Sequence, residues 1–276
     1  MRKILSLLVL FSALNAYAQQ TKELVKVWET DSVIATPESV LPDPDKKVLY
    51  VSLIDGEPWG ADGKGGIATL GMDGKIINAY WVKGLNAPKG LGLFKNKLYA
   101  ADLSNIVVID TKTGKIEKTI PVEGAKKLND VTVDRKGGVF VSDSETGKVH
   151  KLENGKVSVY LDGFGGLNGL KAEGSNLYVL ADKVLYKVEA DKKRTKISEE
   201  FLQGGDGVEP VAEGGFVVSC WGGLIYYVSP EGKNELLLDV RDKKINTADI
   251  GYTPGDRTIY VPTFFKKSVA AYSLKL

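Results

Sequence analysis

Residues 97–115 read KLYAADLSNIVVIDTKTGK. An aliphatic–aromatic pair opens one alternating run, "KLYAAD" (97–102), and a second run, "IVVID" (106–110), follows it. The turn "KTGK" (112–115) then sends the chain toward another strand. Turn residues between alternating runs are a hairpin signature. Working outward, the pair or a near variant returns in "VLYVSL" (48–53), "VFVSDS" (139–144), "LYVLAD" (177–182), "FVVSCW" (216–221) and "IYVPTF" (259–264). With Tyr50, Tyr99, Phe140, Tyr178, Val217 and Tyr260 as markers, the spacings are 49, 41, 38, 39 and 43 residues. A period of about 40 is that of four short strands per unit.

The other parts of each unit agree. A third strand follows every marker, as in "IATLGM", "KVHKLE", "VLYKVE", "LIYYVS" and "SVAAYS", and turns such as "MDGK", "ENGK" and "PEGK" lead to a fourth. Helical periodicity never persists beyond about two turns. Six sheets of four strands predict an all-β, six-bladed β-propeller. The sixth unit reaches Leu276 after its third strand, which leaves an open edge, and open edges invite aggregation. The unassigned strand "LVKVWET" (24–30) is expected to fill that place and close the last blade. The long first spacing reflects an insertion, "GEPWGADGKGG" (56–66), expected to lie beside the channel as a loop or lid.

Composition narrows the function classes. The 276 residues are 43% hydrophobic and 26% charged, enough for a packed core. The formal charge of +2 comes from Arg2 and Lys3, and without them 35 basic residues face 35 acidic ones. Such a chain offers no basic footprint for nucleic acid. A single Cys forms no internal disulfide. Residues 1–18 have the layout of a secretory signal: two basic residues, the apolar run "ILSLLVLFSAL", and "AYA" as a cleavage site after Ala18. The run is too short to span a bilayer. The expectation is a single propeller domain over 19–276 in the periplasm or outside the cell.

The inner strands carry a second pattern. In register on Val40, Leu91, Val131, Leu170, Val208 and Ile250, the residues two positions earlier are Glu38, Lys89, Asn129, Asn168, Asp206 and Ala248. The first strand of each propeller blade lines the central channel, so these positions converge on one mouth. Glu38, Asn129, Asn168 and Asp206 are therefore expected in one cluster, with Asp130 and Asp249, one position on, facing the channel less directly. Asn168-Gly169 and Asp206-Gly207 are also favourable turn dipeptides, and a turn-only reading accounts for those two positions. Two carboxylates and two amide oxygens form a hard-oxygen set suited to Ca²⁺ or Mg²⁺. His150 is the only histidine and is read as a solvated residue of an outer strand, which disfavours a nitrogen-ligated zinc and a Ser-His-Asp or Cys-His mechanism. Cys220 is expected to pack rather than react. No phosphate-binding P-loop motif occurs.

At these residues the chain resembles the senescence-marker-protein/gluconolactonase/luciferin-regenerating-enzyme-like family over about 36–276. Members of that family are six-bladed propellers with one divalent metal in the channel, and several hydrolyse lactones. The resemblance implies metal ligands at Glu38, Asn168 (in "LNG") and Asp206 (in "GDG"), and a substrate-side Asn at Asn129 (in "LND"). "SCWGG" at 219–223 also follows the family pattern, whereas "ATPESVL" departs from it around Glu38 and Lys127 stands where the family has Arg. A lysine is a point charge without the bidentate fork of arginine. The implied activity is an exported, metal-dependent hydrolase of a small-molecule lactone. Ca²⁺ is the favoured ion, with Mg²⁺, Mn²⁺ and Zn²⁺ as alternates. Asp206 doubles as the catalytic base, while Asn129 and Lys127 orient the substrate. The competing expectation is a non-catalytic propeller that keeps a structural metal and binds a periplasmic ligand or protein.

Overall fold

A computed structural model describes residues 22–276, and the leader expected at 1–18 lies outside them. Strand β1 (Glu23–Glu29) precedes the first blade, which is β2 (Pro37–Asp43), β3 (Val48–Leu53), β4 (Gly65–Gly71) and β5 (Ile76–Leu85). The second blade is β6 (Pro88–Phe94), β7 (Lys97–Asp102), β8 (Asn105–Asp110) and β9 (Ile116–Pro121). The third is β10 (Leu128–Val133), β11 (Val139–Asp143), β12 (Lys148–Glu153) and β13 (Lys156–Leu161). The fourth is β14 (Leu167–Glu173), β15 (Asn176–Ala181), β16 (Val184–Val188) and β17 (Arg194–Ser198). The fifth is β18 (Gly205–Pro210), β19 (Phe216–Cys220), β20 (Leu224–Val228) and β21 (Asn234–Asp239). The sixth holds β22 (Gly251–Thr253), β23 (Thr258–Pro262) and β24 (Val269–Lys275).

Each sheet is a simple antiparallel meander, except that the sixth runs β1-β24-β23-β22. Glu23 pairs with Lys275 and Glu29 with Ala270, so the chain's start closes its end as the missing fourth strand requires. Glu29 reinforces the closure by accepting hydrogen bonds from Ser268 Oγ (2.7 Å) and Lys266 Nζ (2.5 Å). Helical structure among the described residues is limited to two three-residue turns at Arg241–Lys243 and Phe264–Lys266. No helix there is long and apolar enough to cross a membrane.

The core is a set of seams between blades. Val40, Leu49 and Ala68 of the first blade pack with Tyr260, Val269 and Ala271 of the sixth. Tyr50, Ile67 and Val82 meet Leu91, Leu98 and Val107 across the next seam. Middle strands are thus covered on both faces, which is why their sequences read as continuous apolar runs.

That two-sided cover corrects one expectation. His150 is not solvated; it lies on β12, a third strand with β13 still outside it, and is 2% exposed. Burial lowers its pKa, so the neutral imidazole is favoured.

Five inner strands share an irregularity. The ladder between first and second strands slips between Pro37 and Val40, Pro88 and Leu91, Leu128 and Val131, Leu167 and Leu170, and Gly205 and Val208. Each slip is a β-bulge, and a bulge re-aims side chains at the step where alternation fails. The recurrent polar residue occupies its first position: Glu38, Lys89, Asn129, Asn168 or Asp206. In the sixth blade the equivalent step is a parallel bridge from Asp249 to Ser39 of the first blade.

Second-strand serines satisfy the backbone that the bulge releases. Ser52 Oγ accepts from Ser39 N (2.9 Å), Ser142 Oγ from Asp130 N (2.8 Å) and Ser219 Oγ from Gly207 N (2.9 Å). The "VS" dipeptide of alternate blades is therefore part of the channel lining's support. Glycine at the second bulge position reflects crowding: a Cβ on Gly169 would stand 2.1 Å from the Asp206 carbonyl oxygen.

Candidate metal and hydrolase site in the channel

Glu38, Lys89, Asn168 and Asp206 come together at the end of the channel from which the inner strands start. Loops leading into them are pinned by carboxylates at the ends of second strands. Asp102 accepts from Asn86 N (3.0 Å) and Ala87 N (2.8 Å), which fixes the approach to Lys89. Asp143 accepts from Lys126 N (2.8 Å), Lys127 N (3.2 Å) and Thr146 N (3.1 Å), which fixes the approach to Asn129. Burial works against the Asp143 charge, but those N–H donors prevail and hold its pKa below the usual range.

Asn168 Nδ2 donates to Asp206 Oδ1 at 2.8 Å. The Asn168 carbonyl Oδ1 and the Glu38 carboxylate oxygen Oε2 are both buried with no hydrogen-bond partner. Buried acceptors without donors are costly, about 1–3 kcal/mol each, and require an explanation. Glu38 and Asp206 are 5% and 2% exposed.

The electrostatics point the same way. Burial raises the Glu38 pKa well above the carboxylate range; nearby Lys89 opposes the shift, and the charges of Asp206 and Asp249 add to it. Burial also lifts Asp206 to about 7 against the Asn168 hydrogen bond and Lys89. Asp249 is likewise lifted to about 7 by burial, with the Ser39 hydrogen bond opposing and Asp206 adding. Four carboxylates, Glu38, Asp130, Asp206 and Asp249, thus lie within mutual electrostatic reach. These titrations belong to the group, not to single residues. A bound cation relieves both the repulsion and the two orphaned oxygens, so the donor set Glu38, Asn168 and Asp206 fits a hard divalent ion. Among the described residues no three His, Cys, Asp or Glu side chains are grouped to hold a metal, so a cation here would need the amide oxygen of Asn168 beside the two carboxylates.

Asn129 and Lys127 stand differently. Asn129 is 9% exposed and donates through Nδ2 to Ser144 Oγ at 3.0 Å, which leaves its carbonyl oxygen for the channel. Lys127 turns outward, with 42% of its side chain exposed and its ammonium 3.0 Å from Glu145.

Asp130 and Asp249, expected to face the channel less directly, lie in its wall with their carboxylates engaged by protein donors. Asp249 Oδ2 accepts from Ser39 Oγ at 2.5 Å, and Asp130 accepts from the backbone N–H groups of Val131 (2.6 Å) and Leu170 (2.5 Å). The two form a shelf between the bulge residues and a second chamber. That chamber, a cavity of about 280 Å³, opens toward the other end and contains the Lys171–Glu209 ion pair at 2.5 Å.

Lys89 was visible in the sequence only as one more polar position. It is 3% exposed, and its ammonium sits 4.4 Å from the centroid of the Trp59 ring. Among the described residues it forms no ion pair within 4.0 Å. Burial lowers its pKa, while Glu38, Asp206 and Asp102 oppose that shift. Trp59 also reaches to 5.7 Å from the Lys127 ammonium, so the 56–66 insertion does cap the mouth. The signal for Lys89 was its place in the bulge register; the signal for its partner was the lone Trp of the insertion. Cys220 is buried, and burial with the nearby Asp206 charge pushes its thiol up to about 12, which leaves it inert.

The fold and site define a six-bladed β-propeller with an anionic, amide-bearing channel mouth under an aromatic cap. Solved structures of similar fold include a candidate gluconolactonase, with a TM-score of 0.67 and 18% identity over 92% of this chain and 92% of that one. A catalytically inactive virginiamycin B lyase from Staphylococcus aureus with quinupristin gives 0.61 and 13% over 93% of this chain and 100% of that one. The nidogen–laminin complex gives 0.64 and 16% over 77% of this chain and 86% of that one. No family model matches the chain, and no curated protein matches it. At these identities the likeness is one of fold.

Proposed function

We propose that this protein is an exported hydrolase that opens lactones or related esters at the channel mouth, with a divalent cation held by Glu38, Asn168 and Asp206. The observation that carries the proposal is the pair of orphaned buried oxygens, Glu38 Oε2 and Asn168 Oδ1, on residues that both interact with Asp206, Asn168 by a hydrogen bond and Glu38 through its charge. Oxygen-only donors favour Ca²⁺, then Mg²⁺. The fold likeness to a candidate gluconolactonase supports the reaction class.

When bound, the cation would polarise the ester carbonyl and acidify a water beside it. The chain's own residues supply the rest. Asp206 has one oxygen engaged by Asn168, and its other oxygen takes a proton from the water as that water attacks the carbonyl carbon. The C–O bond of the ring then breaks, and the same proton passes to the departing oxygen. The Lys89 ammonium, fixed under Trp59, stabilises negative charge as it gathers on the carbonyl oxygen. The carbonyl oxygen of Asn129, left free by the Ser144 bond, orients the substrate. Lys127, tied to Glu145, acts at the rim.

The test is calorimetry with Ca²⁺ and Mg²⁺ on the mature protein, followed by hydrolysis of a lactone panel with and without chelator. Metal-dependent turnover supports the reading. Absence of metal binding, together with chelator-resistant turnover or none, would sink it.

A further inference from the structure

Lys89 is the one residue of the bulge register that brings a cation to the mouth. Its loop is pinned by Asp102 and its strand slips between Pro88 and Leu91, so the backbone aims the side chain. At 3% exposure the ammonium is held out of bulk water, which is costly for a charge without a hydrogen-bonded partner. Among the described residues no carboxylate lies within 4.0 Å of it and no side-chain acceptor takes its N–H groups. Glu38 and Asp206 act on it only at longer range, and they are the two acids that the proposed cation would take. Asp102 is occupied by the backbone N–H groups of Asn86 and Ala87. What faces the ammonium is the Trp59 ring, with its centroid 4.4 Å away.

The rim repeats this excess of positive charge. Lys126 and Lys127 share a single carboxylate, Glu145, at 3.2 Å and 3.0 Å, so one ammonium is left over. Lys127 also lies 5.7 Å from the centroid of the same Trp59 ring. The acids of the insertion do not answer these charges. Asp55 accepts from the Tyr80 hydroxyl, Asp62 is 3.6 Å from Lys64, and Glu57 is exposed. One indole thus lies against two lysines, one buried and one at the rim, whose combined charge is not balanced nearby. A ring face attracts a buried ammonium but satisfies its three N–H donors poorly. A carboxylate supplies both the charge and the acceptors.

We infer that the Trp59 ring holds the place of an anionic group on the substrate, so the protein acts on a lactone whose ring carries a carboxylate. The inference rests on the hydrolase reading of the same mouth. The insertion gives way, the carboxylate accepts from Lys89 Nζ, and Lys127 faces it from the rim. With three donors, the one ammonium serves that carboxylate and the carbonyl oxygen of the same ring together. A neutral lactone brings no charge to exchange for the indole and leaves Lys89 under Trp59.

The experiment uses the mature protein with Ca²⁺ and two matched pairs of ligands. One is the γ-carboxylate of γ-butyrolactone and its carboxamide; the other is tetrahydrofuran-α-carboxylate and its carboxamide, which have no lactone bond to break. Affinity is read by calorimetry and turnover by acid release. A hydrogen bond between charged groups in a buried site is worth about tenfold or more in affinity, so each carboxylate should bind at least about tenfold more tightly than its carboxamide. Lys89→Met should remove that preference. Trp59→Ala should strengthen carboxylate binding more than carboxamide binding, because the ring no longer competes. In that variant tetrahydrofuran-α-carboxylate should also shield Lys89 from acetylation and the carboxamide should not, a readout that keeps Lys89 itself intact. Equal affinities within a pair, or equal shielding, would overturn the inference. A preference that survives Lys89→Met would put the anion on Ca²⁺ instead and overturn it too, as would a preference weakened by Trp59→Ala. A carboxylate preference that depends on Lys89, with neither lactone hydrolysed, would uphold the anion site and refute the hydrolase reading.

Discussion

The 2.8 Å hydrogen bond from Asn168 Nδ2 to Asp206 Oδ1 fixes which way the Asn168 amide faces. A flip would set its carbonyl against a carboxylate, so the bond aims Oδ1 into the channel, where it finds no protein donor. On the proposed function, that one contact between adjacent blades would make a neutral side chain a directed cation ligand. Replacing Asn168 by Asp keeps the size, removes the donor and sets two acids against each other. Without metal, Asn168→Asp should melt lower than wild type, and added Ca²⁺ should raise its melting temperature by more than it raises that of wild type. Asp206→Asn should bind Ca²⁺ about 100-fold more weakly, within the range of electrostatic ligand losses, and should lose turnover. A Ca²⁺ affinity unchanged by Asp206→Asn would remove it from the ligand set and leave "GDGVEP" as a turn.

Lys89 is the counter-charge to this group of acids. Lys89→Met should leave Glu38 and Asp206 uncompensated, so the metal-free variant loses stability near pH 7 by about 2–4 kcal/mol. Ca²⁺ should restore most of it and should bind about tenfold more tightly than in wild type, because one repelling charge is gone. Turnover should still fall, since the oxyanion loses its ammonium. Denaturant melts with and without Ca²⁺ separate these effects, and weaker Ca²⁺ binding would show Lys89 to be an organiser of the site and not a competitor of the ion.

The cap makes a prediction that needs no substrate. Lys89 is covered by Trp59, while most other lysines are solvated. Brief acetylation followed by peptide mass mapping should leave Lys89 unmodified in wild type and label it in Trp59→Ala. Cation–π contacts of this kind contribute about 0.5–2 kcal/mol, so loss of the ring should open the mouth without unfolding the blades. Equal labelling in both proteins would mean that the insertion does not guard the channel.

The blades were legible because a four-strand unit repeats its turn chemistry and because closure of an open edge demands a partner, which "LVKVWET" supplied. The positions of Glu38, Asn168 and Asp206 in one register were legible for the same reason. The bulge was not. Strict alternation sends neighbouring side chains to opposite faces, which is why Asp130 and Asp249 were expected to face the channel less directly; the ladder slip between Leu128 and Val131, and the bridge at Asp249, break that alternation. His150 was misread because strand order within a unit says nothing of how deeply the next blade covers its third strand. Lys89 was undervalued because burial, not residue type, gives its charge a role.

Closure of the ring should depend on pH through Glu29. Burial opposes its ionisation, but Lys26, Lys266 and Ser268 prevail and lower its pKa to about 2. A carboxylate depressed in the folded state stabilises the protein above its unfolded pKa, about 4.3. That contribution fades as pH falls from there toward 2. Glu29→Gln should therefore cost about 1–2 kcal/mol at pH 7, after allowance for solvent screening, and little at pH 2. Urea melts at both values check this; a pH-independent difference would make the residue's role one of packing alone.

The last prediction concerns the crowding that sets the site's dimensions. Gly169 follows Asn168 at the second bulge position, and a Cβ there would lie 2.1 Å from the Asp206 carbonyl oxygen and 2.9 Å from Leu180 Cδ1. The leucine can rotate away, but the carbonyl belongs to the bulge of the next inner strand and moves only with it. Gly169→Ala should therefore push blades four and five apart at the point where Asn168 bonds Asp206. Overpacking of this kind costs about 1–3 kcal/mol. The distinguishing result is in the ligand, not the melt. Because Asn168 and Asp206 sit on opposite sides of the displaced contact, Ca²⁺ affinity should fall more than tenfold. A control at Gly163, where a Cβ meets no atom within 4 Å but φ is +81°, should lose stability through strain and bind Ca²⁺ as wild type does. If both variants bind Ca²⁺ alike, close approach of the inner strands is not what sets the distance between the two ligands.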